Sequence, residues 1–253
     1  MLSILQFRRR NGERSAAAQL IWYGLVAWAV GLTCWVFWRF RTMGRGRIPR
    51  RGAALVIANH QSHIDPMLLG IILRDRSPRM MARRSLLTDS PWPMPWVLRV
   101  GYRCIFVDRG SSDPSAMRAV LQELRSGRLS VVFPEGTRSL DGTMRPFERG
   151  VWLLIKRGGA PVLPVGIEGT FDAWPKGSGP RRRGRILANV GTPIPCEELL
   201  EMGVDRALEH LHDRVDALRA EAREVIRRRT GGRWPLRGPA DEQTGGNTCT
   251  AGR

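Results

Sequence analysis

The run NHQSHID at 59–65 carries two histidines three positions apart, with Asp65 closing it and Pro66 following. An imidazole with an ordinary pKa of about 6.5 is suited to taking a proton near neutrality. A carboxylate at one ring nitrogen would leave the other basic and available to a hydroxyl. Five residues of separation would set His60 and Asp65 about 140° apart on one continuous helix. They can meet only across a turn, and Asp65-Pro66 supplies the break, since Asp suits a helix N-cap and Pro the first helical position. The same residues also read as a plain helix cap beside a surface histidine, without catalysis.

Two further runs have chemical potential. FPEGTRS at 133–139 follows an aliphatic strand and offers backbone N–H groups, a hydroxyl and the Arg138 guanidinium, a set that suits an anion. It reads equally as a turn with a Glu135–Arg138 surface ion pair. GYRCIFVDR at 101–109 ends on Asp108-Arg109. Arg109 can hold a phosphate with Asp108 orienting it, or the two form a solvated salt bridge worth about 0–1 kcal/mol.

All three runs fall at the ends of predicted strands, where open α/β sheets build their sites. Strands are predicted at 53–58, 103–107, 129–133, 162–167 and 186–190. Helices are predicted at 67–73, 114–127, 151–156 and 205–229. Repeated β-α-β units predict an α/β fold with a mostly parallel central sheet flanked by helices. In the last helix Leu208, Leu211, Val215, Leu218, Ala222 and Val225 form one apolar stripe. A helix packed on its own domain fits that stripe better than a coiled coil, since about three heptads are present.

Between 16 and 38 no residue is charged. As a helix this run is about 34 Å long, against a hydrocarbon core of about 30 Å. Trp22, Tyr23, Trp35 and Trp38 lie toward its ends, where amphipathic rings favour headgroups. The stretch is too long for a usual signal-peptide core, and no A-x-A site follows. Arg8, Arg9, Arg10 and Arg14 precede it; Arg39, Arg41, Arg45, Arg47, Arg50 and Arg51 follow. The richer C-terminal flank places the remainder on the cytoplasmic face of the cell (inner) membrane. Spanning and monotopic anchoring both fit. The expected plan is a basic segment at 1–15, a membrane helix or monotopic anchor at 16–38, the folded domain at 39–230 and a disordered tail at 231–253, rich in Gly, Pro and polar residues.

The chain has 253 residues, 42% hydrophobic and 25% charged, which excludes a wholly disordered or fibrous protein. Lys and Arg outnumber Asp and Glu by 41 to 23, a net charge of +18 that attracts polyanions. The patch around Arg181, Arg182, Arg183 and Arg185 suits anionic lipid or forms a solvated loop. SPWPMPW at 90–96 either dips into a membrane or folds its aromatics inward. Cys34, Cys104, Cys196 and Cys249 are scattered without a C-x-x-C pair. Neither a disulfide framework nor a zinc site is expected, and a reducing compartment fits.

Taken together, NHQSHID (59–65), GYRCIFVDR (101–109), FPEGTRS (133–139) and VLPVGIEGT (162–170) resemble the ordered blocks of the glycerolipid acyltransferases, typified by bacterial 1-acyl-sn-glycerol-3-phosphate acyltransferase. Order and spacing match over about 49–190, more than half of the chain. The resemblance implies that His60 is the general base and that Asp65 orients it. It implies a lysophospholipid acceptor whose phosphate is bound by Arg109 and Arg138, in a pocket shaped by Glu135, Gly136 and Thr137. Pro164 would lie on the acyl-donor side, with acyl-CoA or acyl-carrier protein as co-substrate. No metal or other cofactor is implied. The activity would be O-acylation of the sn-2 hydroxyl of 1-acyl-glycerol-3-phosphate, giving phosphatidic acid, by the catalytic domain at 39–230.

Two positions depart from the pattern. Phe147-Glu148-Arg149-Gly150 stands where many relatives have Phe-Lys-x-Gly, and Arg83-Arg84-Ser85-Leu86 replaces a common Lys-x-Glu-Leu. Both touch the headgroup or membrane entrance, so another lysolipid such as lyso-ornithine lipid is an alternative acceptor. A membrane-tethered nucleic-acid binder is the remote alternative. The chain lacks the aromatic-basic interleaving of a stacking platform, so no nucleic-acid partner is expected. A silent membrane scaffold of the same fold is opposed by the presence of both His60 and Asp65.

Overall fold

The computed structural model describes residues 17–76, 78–83, 86–89, 104–107, 114–181 and 183–241. Arg109, the segment 90–96, Arg182, the basic residues before 16 and the tail 242–253 lie outside them. In chain order the elements are α1 (Ala17–Trp38), β1 (Arg41–Met43), β2 (Ala54–Ala58), α2 (Asp65–Ile72), β3 (Arg79–Arg83), α3 (Leu86–Asp89), β4 (Ile105–Val107), α4 (Pro114–Arg125), β5 (Leu129–Val132), α5 (Gly150–Gly158), β6 (Val162–Glu168), α6 (Thr170–Ala173), β7 (Leu187–Val190), α7 (Cys196–Met202) and α8 (Val204–Thr230).

The strands form one seven-stranded sheet in the order β1-β7-β6-β2-β5-β3-β4. Every neighbouring pair is parallel except β6–β7. The predicted mostly parallel sheet with flanking helices is what the chain forms. β2, β5 and β6 are buried along their whole lengths, as continuous apolar strands covered on both faces must be. Alternation along them divides the core. Val56, Ala58, Leu163 and Val165 face α1 and α2, whereas Leu55, Ile57 and Val162 face α4, α5, α7 and α8.

α8 is the predicted C-terminal helix, and it packs on its own sheet through Leu208, Leu211, Val215, Leu218 and Ala222. The approach is close enough that a Cβ on Gly166 of β6 would sit 2.3 Å from the Arg219 backbone nitrogen. Gly166→Ala is therefore expected to lower stability by about 2–3 kcal/mol, read by urea unfolding, because neither backbone can give way cheaply.

α1 realises the helix expected over 16–38. Among the described residues, however, no helix is long and apolar enough to cross a membrane. Packing divides the helix into two sides. Val26, Ala27, Cys34 and Trp38 are buried in the core shared with α2, so one side of α1 is occupied by protein. Leu25, Trp28, Leu32, Trp35, Val36 and Phe37 are exposed. The disorder expected from 231 onward does not hold for 231–241. That segment docks back, with the Leu236 N–H donated to Asp172 Oδ2 at 2.8 Å and Asp241 3.0 Å from Arg223 Nε. Cys34, Cys104 and Cys196 are free thiols.

Candidate active site

The C-terminal ends of β2, β5 and β6 lie side by side in the sheet, and the loops leaving them converge. Asn59 fastens the first of these. Its Nδ2 donates to the Ile167 carbonyl at 2.8 Å and its Oδ1 accepts the Ile167 N–H at 2.7 Å, locking the end of β2 to β6. His60 is the next residue, and its N–H reaches Glu135 Oε1 at 2.7 Å. The His60 carbonyl accepts the Ser139 N–H at 2.8 Å. The imidazole stacks on Phe133, with centroids 4.1 Å apart and planes 21° from parallel. Gln61 Nε2 donates to the Gly142 carbonyl at 2.7 Å. Two stretches that the sequence separates by about 75–80 residues are thus sewn into one wall.

Asp65 lies 2.9 Å through Oδ2 from His60 Nδ1. The same oxygen accepts the N–H groups of Gln61 and Ser62, each at 2.7 Å. This decides between the two readings of the run. A capping carboxylate would face forward onto its own helix, but α2 has no side-chain cap at its N-terminus. Asp65 instead faces back across the turn and is fully buried. A carboxylate only accepts, so Nδ1 carries the hydrogen and Nε2 keeps its lone pair. The His60 side chain retains 17% exposure, which leaves that nitrogen an approach route.

The 133–139 turn bends at Gly136, where φ is +67° and a side chain would be strained. Glu135 is buried and clamps the turn from within, accepting the N–H groups of His60 and Arg145. Burial pushes its carboxyl up to about 7, against the pull of those two donors. A carboxyl protonated more readily in the fold than in the unfolded chain favours the fold at low pH. Its contribution is complete below about 4.5 and is lost as pH rises through about 7. From pH 5 to pH 8, wild type should lose about 2 kcal/mol more unfolding free energy than Glu135→Gln. Chemical unfolding of the two proteins at both pH values checks this.

Thr137 and Arg138 are half-buried and Gly136 is exposed. Arg138 lies close enough to His63 to act on it electrostatically. Desolvation, with Arg138 and His60 adding to it, pushes His63 down to about 4. The His63 ring packs at 5.4 Å on Trp174, whose carbonyl accepts the Ser62 hydroxyl at 2.6 Å. Pro164 is buried inside β6, paired with Ile57 of β2. Among the described residues no cluster of His, Cys, Asp and Glu has the form of a metal site. The sequence assigns no role to Phe133, Asn59 or Trp174. The first two open the 133–139 and 59–65 runs, whereas nothing local marks Trp174.

The family model described as Acyltransferase matches residues 39–168, just over half of the chain. The chain belongs to the acyltransferase family. The matched stretch holds His60, Asp65 and the whole 133–139 turn. Among its curated relatives is 1-acyl-sn-glycerol-3-phosphate acyltransferase alpha of Bos taurus, 31% identical over 164 residues, which are 64% of this chain and 56% of that one. The 1-acyl-sn-glycerol-3-phosphate acyltransferase of Limnanthes douglasii is 28% identical over 195 residues, 75% of this chain and 64% of the relative. This acyltransferase therefore spans a little over half to just under two thirds of the length of those relatives. A solved structure, that of the 1-acyl-sn-glycerophosphate (LPA) acyltransferase PlsC from Thermotoga maritima, superposes with a TM-score of 0.68. It shares 24% identity and the match covers 87% of this chain and 83% of that one, which establishes the fold.

Proposed function

We propose that this acyltransferase transfers a fatty acyl group from acyl-CoA or acyl-carrier protein to the sn-2 hydroxyl of 1-acyl-glycerol-3-phosphate, making phosphatidic acid at the cytoplasmic face of the cell membrane. The observation that carries this reading is the His60 Nδ1–Asp65 Oδ2 contact at 2.9 Å beside the 133–139 turn. Nε2 takes the proton of the acceptor hydroxyl as its oxygen attacks the thioester carbonyl. The tetrahedral intermediate collapses with loss of the thiol, which recovers that proton from His60. Asp65 stabilises the imidazolium formed between the two steps. The acceptor phosphate is assigned to Arg138 and Arg109, with Gly136 and Thr137 shaping its seat and the Glu135 carboxylate turned away onto backbone donors. Pro164 supports the donor side through the sheet beneath.

The acceptor and product are lipids, and α1 supplies the means to meet them. Its exposed Leu25, Trp28, Leu32, Trp35, Val36 and Phe37 present an apolar surface of the kind that enters an interface. The net charge of +18 adds attraction to anionic lipid. α1 is accordingly read as a monotopic anchor, lying in the interface and tied to the domain by its other side. Replacing Trp28 and Leu32 with Glu should cut sedimentation with anionic vesicles at least ten-fold while leaving the fold intact by circular dichroism. Unchanged sedimentation would remove α1 from the membrane contact.

The activity is tested by transfer of radiolabelled acyl groups into vesicle-borne acceptors, with each donor carrier in turn. Label should appear in phosphatidic acid from lysophosphatidate. Labelling of lyso-ornithine lipid with none of lysophosphatidate would keep the reaction and overturn the acceptor.

A further inference from the structure

We propose that Trp174 and the C-terminal segment 231–241 are positioning elements for the catalytic turn, acting on Asp65 through Ser62. The inference rests on His60 and Asp65 being the working pair.

The connection is a series of hydrogen bonds joined by short stretches of chain. Arg223 of α8 holds Glu168 Oε1 through Nη1 at 3.0 Å, and its Nη2 donates to the Leu236 carbonyl at 3.1 Å. The Leu236 N–H is donated in turn to Asp172 Oδ2 at 2.8 Å. Asp172 belongs to α6, and Trp174 follows that helix directly. The Trp174 carbonyl accepts the Ser62 hydroxyl at 2.6 Å, and the Ser62 N–H reaches Asp65 Oδ2 at 2.7 Å. The 174–181 loop is held from its other end as well. The Arg181 N–H bonds the Ala173 carbonyl at 2.7 Å, and the Arg181 carbonyl accepts Trp38 Nε1–H of α1 at 2.7 Å.

A serine hydroxyl has one hydrogen to give. Committing it to Trp174 fixes the Ser62 rotamer, and with it the turn whose N–H points at Asp65. The carboxylate has to stay aligned with Nδ1 for His60 to keep its tautomer, and a misplacement of about 1 Å in such a set costs on the order of 10²-fold. Everything beyond residue 168 on this path lies outside the stretch that the family model matches.

The test is a double-mutant cycle in the full-length protein. It uses acyl-CoA and whichever of lysophosphatidate or lyso-ornithine lipid, presented in vesicles, the wild type acylates faster. Ser62→Ala removes one oxygen, and Asp172→Ala removes the acceptor for Leu236. Each should lower kcat about ten-fold with both KM values within two-fold of wild type. The double variant should fall no more than about three-fold below the worse single one, because the two act along one path. Asp172→Asn should recover to within three-fold of wild type, since its amide oxygen still accepts the Leu236 N–H. Leu236→Pro, which deletes that N–H from the other side, should reproduce Asp172→Ala. Thermal unfolding of each variant sets the folded fraction to which kcat is referred. The inference is overturned if the two effects multiply, if only KM moves, or if Asp172→Asn is as damaging as Asp172→Ala. His60→Ala in the same assay separates the failures. An active His60→Ala would sink the reading of the pair, whereas an inactive one beside multiplying effects would sink this inference alone.

Discussion

Replacing His60 with Ala is expected to lower kcat by about 10²–10⁴-fold, the usual cost of removing a positioned base. The acceptor and donor KM values should change little, since the ring does not belong to the proposed phosphate seat. Thermal stability should fall only modestly. The side chain is 17% exposed and gives up its stacking on Phe133 and its bond to Asp65, whose Oδ2 keeps the Gln61 and Ser62 N–H donors, while the backbone bonds of His60 to Glu135 and Ser139 survive the substitution. A loss of kcat in a protein that still unfolds near the wild-type temperature would assign the effect to chemistry. A variant within a few-fold of wild type would remove His60 from the reaction.

The second large effect belongs to Asp65→Asn. Asp65 Oδ2 gathers three donors, from His60 Nδ1, Gln61 N and Ser62 N. An amide oxygen can take that place, but it no longer carries the charge that balances an imidazolium. The amide can also turn its NH2 toward the ring, which favours the tautomer with the hydrogen on Nε2 and removes the base. A loss of about 10²–10⁴-fold in kcat is expected. The two residues act as one unit, so the double variant should be no slower than His60→Ala alone. Steady-state kinetics on the three proteins, with circular dichroism as the control for folding, checks both statements. Independent, multiplying losses would mean that Asp65 acts elsewhere than on His60.

The parts of the fold legible in the sequence are those whose signal is local. β2 and β6 are apolar runs bounded by polar turns, and α8 carries its buried stripe over 27 residues. β1 and β3 are not legible because Arg-Thr-Met and Arg-Met-Met-Ala-Arg have neither alternation nor an apolar run. They are strands because neighbours offer them a ladder, β1 on β7 and β3 between β5 and β4. α7, opened by Cys196 behind Pro195, is short and shows the same lack of a pattern.

The site was legible in its residues and only half legible in its geometry. Spacing alone left Asp65 as cap or partner, because both roles begin with the same turn. What separates them is the direction of one carboxylate, and that direction depends on Ser62 and on the way β2 enters the sheet. The brace from Trp174 could not be read at all. Ser62 and Trp174 are 112 residues apart, and they meet only because β6 runs beside β2 and delivers α6 to the same end of the sheet. The N-terminal helix shows the reverse case. Its lack of charge is plain, yet the division between an exposed and a protein-facing side follows from α2 lying against it, which composition does not encode.

The most direct measurement is a structure of the His60→Gln variant, or of the wild type without acyl donor, with lysophosphatidate bound. In the wild type the account predicts the sn-2 oxygen within about 3.2 Å of Nε2, with the phosphate against Arg138. An acceptor seated with that hydroxyl on the far side of the imidazole, out of reach of Nε2, would contradict it.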